Sequence, residues 1–254
     1  MHQKIEHKPL TIKSLIDFSV KEFAKCPSVS FVDGIPMTYK ELGEGIEKIS
    51  DILFSFGLKK GDKVALFSQN MPNWVIAYFA VVSKGLVIVP ILPDFTRQEV
   101  ENVLLHSESK VLFVSDRLLS RIDNLLLPDL MIKISVDDFS IKYDNGNYEM
   151  INAKKDINKI KVDEDDIAAI IYTSGTTGRS KGVVLTHKNI AFIAMQSYTF
   201  SPINHEDIFL SILPLSHTYE NSIGLLYPIM YGASIFYLEK PPTAALLMPA
   251  LKKI

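Results

Sequence analysis

The stretch WVIAYFAVVSKGLVIVPIL, residues 74–92, constrains the fold more than any other part of the chain. It carries a single charge, Lys84, and cannot be left facing water. Lys84 and Gly85 interrupt it in the middle, where a membrane-spanning helix tolerates neither. The run therefore divides into a helix buried all round, a glycine stop, and a strand over 86–91. That strand is apolar on consecutive positions, so both of its faces must be covered, as in the interior of a parallel sheet.

The rest of the chain alternates in the same way. Leu42, Ile46, Ile49, Leu53 and Phe56 form one apolar helical stripe, with Thr38 and Glu41 placed for a capping box and Gly57 for the stop. Thr96 and Glu99 repeat the cue ahead of Val100, Val103 and Leu104, and an earlier helix carries Ile12, Leu15, Ile16, Ser19 and Phe23. Strands are predicted at 29–32, 63–67, 110–114, 131–136, 167–173, 182–187, 207–213 and 234–238. Helices are predicted through Ile190, Ile193, Ala194 and Tyr198, over 219–231 with Gly232 closing, and after Thr243 as N-cap. Strands alternating with helices of this length predict an α/β fold with a mostly parallel sheet.

Residues 137–166 break the rhythm with a polar, turn-rich excursion that reads as a surface segment, such as a small hairpin. Its terminal acids, Asp163 to Asp166, fit a solvated turn better than a metal site, because four adjacent acids do not converge from extended backbone. The expected division is residues 1–136 as a first α/β portion, the excursion at 137–166, and 167–254 as the phosphate loop and the start of the next α/β portion, with the segment past the loop starting a second sheet. The final segment stops on apolar Ile254 without a cap and reads as an end inside an element.

Composition narrows the function classes. A net charge of −2 and no basic tract give no electrostatic case for nucleic acid. The lone Cys26 excludes an internal disulfide framework and suits a reducing compartment, the cytoplasm, with the thiol read as a small packing residue. The opening MHQKIEHKPL lacks the apolar core of a signal peptide. His2, His7, His106, His187 and His205 show no metal-ligand spacing, so no protein-bound zinc is expected.

The chemistry-bearing stretch is YTSGTTGRSKG, residues 172–182, directly after an apolar strand. Glycines let backbone approach an anion closely, hydroxyls add donors, and one lysine supplies a point charge for outer phosphates. Thr173, Ser174, Thr176, Thr177 and Ser180 bring the hydroxyls, Gly175, Gly178 and Gly182 the freedom, and Lys181 the charge. A solvent loop or linker has similar composition, but this segment is short and flanked by strands. It is not a Walker A loop, because Lys181 follows Gly178 by three residues and precedes Gly182.

YTSGTTGRSKGV followed by LTH resembles the signature loop of the adenylate-forming superfamily, which includes acyl-CoA synthetases, luciferases and peptide-synthetase adenylation domains. Ser180 departs from it, standing where many members carry proline. LPLSHTYE at 213–220 resembles the family's next motif, and TYKEL through GDKVALFSQN its N-terminal region, so the likeness covers essentially the whole chain. The resemblance implies stacked helix and sheet layers, the front part of a large AMP-binding domain. It also implies ATP, Mg2+ and coenzyme A as co-substrates and cofactor, with a carboxylate activated as acyl adenylate and passed to a thiol.

By that resemblance the loop residues 173–182 grip the β- and γ-phosphates, Thr176 reaches magnesium and phosphate oxygens, and Lys181 neutralises the leaving pyrophosphate. His217 lines the junction of acyl pocket and α-phosphate, with Tyr219 and Glu220 as accompanying substrate residues. For these last two, the first turn of a capped helix is an equally good reading. LSHTYE is more similar to the long-chain fatty acyl-CoA synthetase branch, a substrate class that favours peripheral membrane association. The family's later magnesium-binding glutamate, ribose aspartate and C-terminal domain lie outside these residues. The chain alone is therefore expected to be inactive and prone to self-association through an exposed apolar face. Two rivals stay open, a ligase loading a carrier-protein thiol and a non-catalytic nucleotide- or acyl-binding module.

Overall fold

The computed structural model describes residues 5, 8–146, 160–173 and 181–254. Its strands form two sheets with helices between and around them. The larger sheet has seven strands: β3 (Lys63–Phe67), β4 (Val87–Ile91), β5 (Val111–Val114), β6 (Ile132–Ser135), β7 (Ile141–Asp144), β8 (Ile167–Thr173) and β9 (Lys181–Thr186). Their order is β7-β6-β5-β3-β4-β8-β9, with five parallel strands inside and an antiparallel strand at each edge. The smaller sheet pairs the beginning of the chain with its later part. β1 (Pro27–Phe31) lies between β2 (Met37–Thr38) and β11 (Ser234–Tyr237), and β10 (Ile208–Ser211) lies outside β11.

The residues 74–92 fold as their pattern requires. Helix α3 (Pro72–Val82) is buried from Trp74 onward, Gly85 turns the chain with φ +75°, and all five residues of β4 are buried. One face of the large sheet is covered by α3, and α2 (Tyr39–Ser55) and α1 (Ile12–Glu22) pack in turn against α3. The opposite face packs Ala65, Phe67, Val89 and Ile91 against Val100, Val103 and Leu104 of α4 (Arg97–Ser107). That two-sided cover is why these strands are apolar on successive positions. Thr38 with Glu41, and Thr96 with Glu99, form the expected capping boxes.

Several expectations are corrected. The segment after the phosphate loop does not start the second sheet: β9 turns back antiparallel onto β8, and the second sheet is completed by β10 and β11. In α5 (His187–Ser197), Ile190 and Ala194 face inward, but Ile193 is 49% exposed. The hairpin expected of the excursion after 137 is present, with β7 antiparallel to β6. A short 3-10 helix, Asp116–Ile122, was not foreseen, and residues 147–159 lie outside the described part. The helix expected over 219–231 opens with a π-helical segment, Glu220–Leu226, before a single α-turn, α6 (Tyr227–Met230). Thr243 is the N-cap of α7 (Ala244–Leu251), but its hydroxyl makes no capping bond.

Candidate functional site

The phosphate-loop motif hangs on the hairpin of β8 and β9. Register places Thr173 opposite Lys181 and Tyr172 opposite Gly182, so the two ends of the motif are joined by strand pairing. Ser174, Gly175, Thr176, Thr177, Gly178 and Ser180 lie outside the described residues. Thr173, Lys181 and Gly182 are exposed. Gly182 is a strand residue with a packing reason for its identity: a Cβ there would stand 2.9 Å from Ile170 Cγ2 and 3.2 Å from the Tyr172 ring. The Tyr172 hydroxyl in turn lies 2.7 Å from His106 Nδ1 on α4, which fixes that ring beneath the hairpin.

The second piece, residues 211–221, runs from the end of β10 into the π-helical segment. His217, Thr218 and Tyr219 are exposed at its crest. The His217 amide donates to Pro214 O at 2.9 Å, and its Nδ1 accepts from the Tyr219 amide at 3.3 Å. An N–H aimed at Nδ1 makes that nitrogen an acceptor, so a ring proton sits on Nε2. Glu220 turns the other way. It is buried, and its Oε1 accepts from Ser211 Oγ at 2.6 Å. Burial pushes its carboxyl pKa up, partly countered by the Ser211 hydroxyl, the Ile212 amide and nearby His217.

Sequence reasoning missed the residues that hold this turn. Asn70, in the loop after β3, donates through Nδ2 to Ser211 Oγ at 3.1 Å and Leu213 O at 2.7 Å, and accepts from the Leu215 amide at 2.9 Å. Tyr78 of α3 donates to Asn221 Oδ1 at 3.0 Å, and Asn221 Nδ2 reaches Leu215 O at 3.5 Å. Burial raises the Tyr78 pKa, keeping the hydroxyl a donor. These partners are more than 140 residues apart in the chain, so no spacing could announce them.

The two pieces share a groove of roughly 590 Å3, lined by Leu185 at the root of the hairpin, Ile190, Phe192 and Ile193 of α5, and Thr218 and Ser222 of the turn. Lys188 and Asn189 also line it, so an apolar floor is edged by polar side chains, and Thr218 brings it next to His217 in the chain. Among the described residues no three His, Cys, Asp or Glu side chains converge as a metal site. These residues alone therefore do not fit a resident divalent cation. No described helix is long and apolar enough to cross a membrane.

A glycine- and hydroxyl-rich motif between the paired strands β8 and β9, at the edge of a mostly parallel sheet, with a histidine turn that starts from a second sheet, agrees with the α/β architecture implied by the resemblance to adenylate-forming enzymes. The model of the AMP-binding enzyme family matches residues 18–254, and the chain belongs to that family. A crotonobetaine/carnitine–CoA ligase of Escherichia fergusonii is 28% identical over 210 residues, covering 80% of this chain and 41% of the relative. The chain thus spans less than half the length of that curated relative. Among solved structures, the N-terminal domain of FACL13 from Mycobacterium tuberculosis superposes with a TM-score of 0.78 at 23% identity, over 95% of this chain and 60% of that one. The anthranilate CoA ligase AuaEII gives 0.77 at 21%, over 96% and 46%. At these identities the structural likeness establishes the fold.

Proposed function

We propose that the chain is the nucleotide-binding front part of an acid–CoA ligase. In that reaction a carboxylate oxygen attacks the α-phosphorus of ATP, and the bond to the β-phosphate oxygen breaks with release of pyrophosphate. The thiolate of coenzyme A then attacks the acyl carbon of the adenylate, and AMP leaves. The observation that carries the reading is the strand-paired stem that joins Thr173 to Lys181 across a hydroxyl-rich motif, in a chain of this family. In the proposal Lys181 offsets charge building on the departing pyrophosphate, and the hydroxyls and amides of 173–182 bind its oxygens. Preorganised donors of this type commonly contribute about 10²–10³ in rate each. In the proposal His217 borders both the nucleotide and the acyl group, with Nε2 as donor. Magnesium enters only as the counter-ion of the triphosphate, near Thr176, and no step is assigned to it.

For the acid we propose a long fatty acyl chain, supported by the LSHTYE sequence and by the apolar groove between Leu185, Phe192, Ile193 and Thr218. A short polar acid is the second reading, favoured by the similarity to crotonobetaine/carnitine–CoA ligases. Acid-dependent ATP–pyrophosphate exchange on the complete gene product, from acetate to palmitate with crotonobetaine, carnitine, anthranilate and amino acids alongside, separates them. Exchange restricted to long chains supports the first reading, and exchange restricted to crotonobetaine or carnitine replaces it with the second. Silence with every acid would move the non-catalytic module forward. Release of the product to coenzyme A, and not only to a carrier-protein thiol, tests the acceptor. Exposed Val183, Val184, Phe192 and Ile193 also support self-association of this chain alone, which a clean monomer in size-exclusion at high concentration would refute.

A further inference from the structure

We propose that Asn70, Ser211 and Glu220 form a positioning unit that fixes the His217 turn to the large sheet, with Gly224 as the notch that admits the Glu220 carboxylate. Its catalytic half rests on the ligase reading above. Glu220 then acts through the turn and does not touch the acyl substrate. The three side chains make one connected path. Asn70 donates to Ser211, and Ser211 donates to Glu220, at 3.1 and 2.6 Å. The same Asn70 side chain bonds Leu213 and Leu215. Tyr78 and Asn221 tie the far end of the turn to α3 and back to Leu215.

Two features argue that this is more than generic stabilisation. Burying a carboxylate costs several kcal/mol, and a turn needing only to be stable is served as well by apolar packing. Here a buried acid is retained and given a fitted space. At Gly224 a Cβ would stand 2.5 Å from Glu220 Cδ and 2.6 Å from Oε1. The π-helical segment that carries both residues is itself uncommon and concentrates at functional sites. The bonds also fall on either side of the crest. Leu213, Leu215, Glu220 and Asn221 are held, while His217, Thr218 and Tyr219 between them stay exposed. Anchoring both feet of a turn while leaving its crest open is how a side chain is held in place for a ligand.

The test uses the complete gene product and ATP–pyrophosphate exchange with the best acid, read as kcat and KM for ATP separately. Gly224→Ala should expel the carboxylate and lower kcat about tenfold or more, with KM changed less than about twofold. Ser211→Ala, which removes one hydroxyl from the middle of the path, should lower kcat in the same sense by a smaller factor. Gly224→Ala combined with Glu220→Ala should be no slower than Glu220→Ala alone, because the group that clashes is gone. Amide hydrogen exchange supplies a readout independent of catalysis: Asn70→Ala should speed exchange at Leu215 while leaving amides of β3 and β4 unchanged. Additive losses in the double variant, or faster Leu215 exchange with kcat intact, would overturn the proposal. If Gly224→Ala does not fold, Ser211→Ala and Asn70→Ala decide by the same criteria. Wild-type silence with every acid defeats the ligase reading and the catalytic half together, and Leu215 exchange still decides whether the unit fixes the turn.

Discussion

The loop stem and the histidine turn contribute to one proposed site but are built on opposite principles. The stem is an edge hairpin, with β9 exposed over Lys181–Val184 and its working residues facing solvent. Backbone ladder bonds hold it, and its side chains are left for a ligand to engage. The turn is held by side chains instead, from the β3 loop, α3 and its own buried Glu220, with His217, Thr218 and Tyr219 exposed at the crest and Ile212 and Leu213 exposed before it. Backbone pairing places the ends of a segment and says nothing about which side chains lie between them. Side-chain clamps fix one atom each and demand particular residues. The exposed side chains of the stem should therefore tolerate change in stability and suffer in chemistry, while the side chains that clamp the turn should affect both.

The sharpest break of that comparison is Lys181→Ala in the complete gene product. Adenylation should fall by about 10²–10³. The melting temperature should barely move, because surface substitutions stay within about 0.5 kcal/mol. A variant that melts much earlier would mean the stem is a stability element after all.

The root of the stem gives the next largest effect, through pH. His187, directly after β9, is fully buried, and its Nδ1 accepts from the Ile12 amide at 3.3 Å. Desolvation lowers its pKa to about 4, with the Asp166 carboxylate opposing and Lys60 reinforcing. The folded state thus prefers the neutral ring, while the unfolded chain protonates near its ordinary value of about 6.5. Stability from this residue is whole above pH 6.5 and is lost as pH falls from there to about 4. The loss by pH 5 is about 2 kcal/mol, from 1.36 kcal/mol per unit. Urea titrations at pH 7 and 5 should show that difference, and His187→Asn should flatten it.

Gly182→Ala should cost about 1–3 kcal/mol by forcing a methyl against Ile170 and Tyr172. A neutral melting shift would mean the Tyr172 ring yields freely and His106 does not fix it. The smallest effect belongs to the turn: Tyr78→Phe removes the donor to Asn221 and should cost about 1–2 kcal/mol. Unaltered stability there would weaken the view that side chains hold the turn.

Legibility in the sequence followed the same divide. Elements decided by neighbouring residues were readable, including both Thr–Glu capping boxes and the buried helix and strand of 74–92. The loop motif was readable because its chemistry is contiguous. The buried stripe of α5 is narrower than its apolar residues suggest, with Phe192 and Ile193 both exposed. The clamp of Asn70 on Ser211 left no trace, since residues 141 positions apart obey no local period. The return of β9 onto β8 was hidden for another reason: a Gly-rich segment after a strand fits a crossover and a hairpin equally well.

The smaller sheet carries a consequence in time. Its inner strand β1 pairs Val29 with Ile235, so the sheet cannot close until the chain has been made past residue 235. At roughly 5–20 residues per second, synthesis leaves β1 waiting on the order of 10–40 s after it emerges. Nascent chains halted near residue 200 should be cut by protease within β1, and protection there would show that something else covers it meanwhile. The large sheet, by contrast, has β3, β4 and β5 in hand by residue 114. The order of birth therefore makes the loop stem grow onto a finished platform, while the histidine turn and the strand that roots it arrive at the moment the smaller sheet first becomes possible.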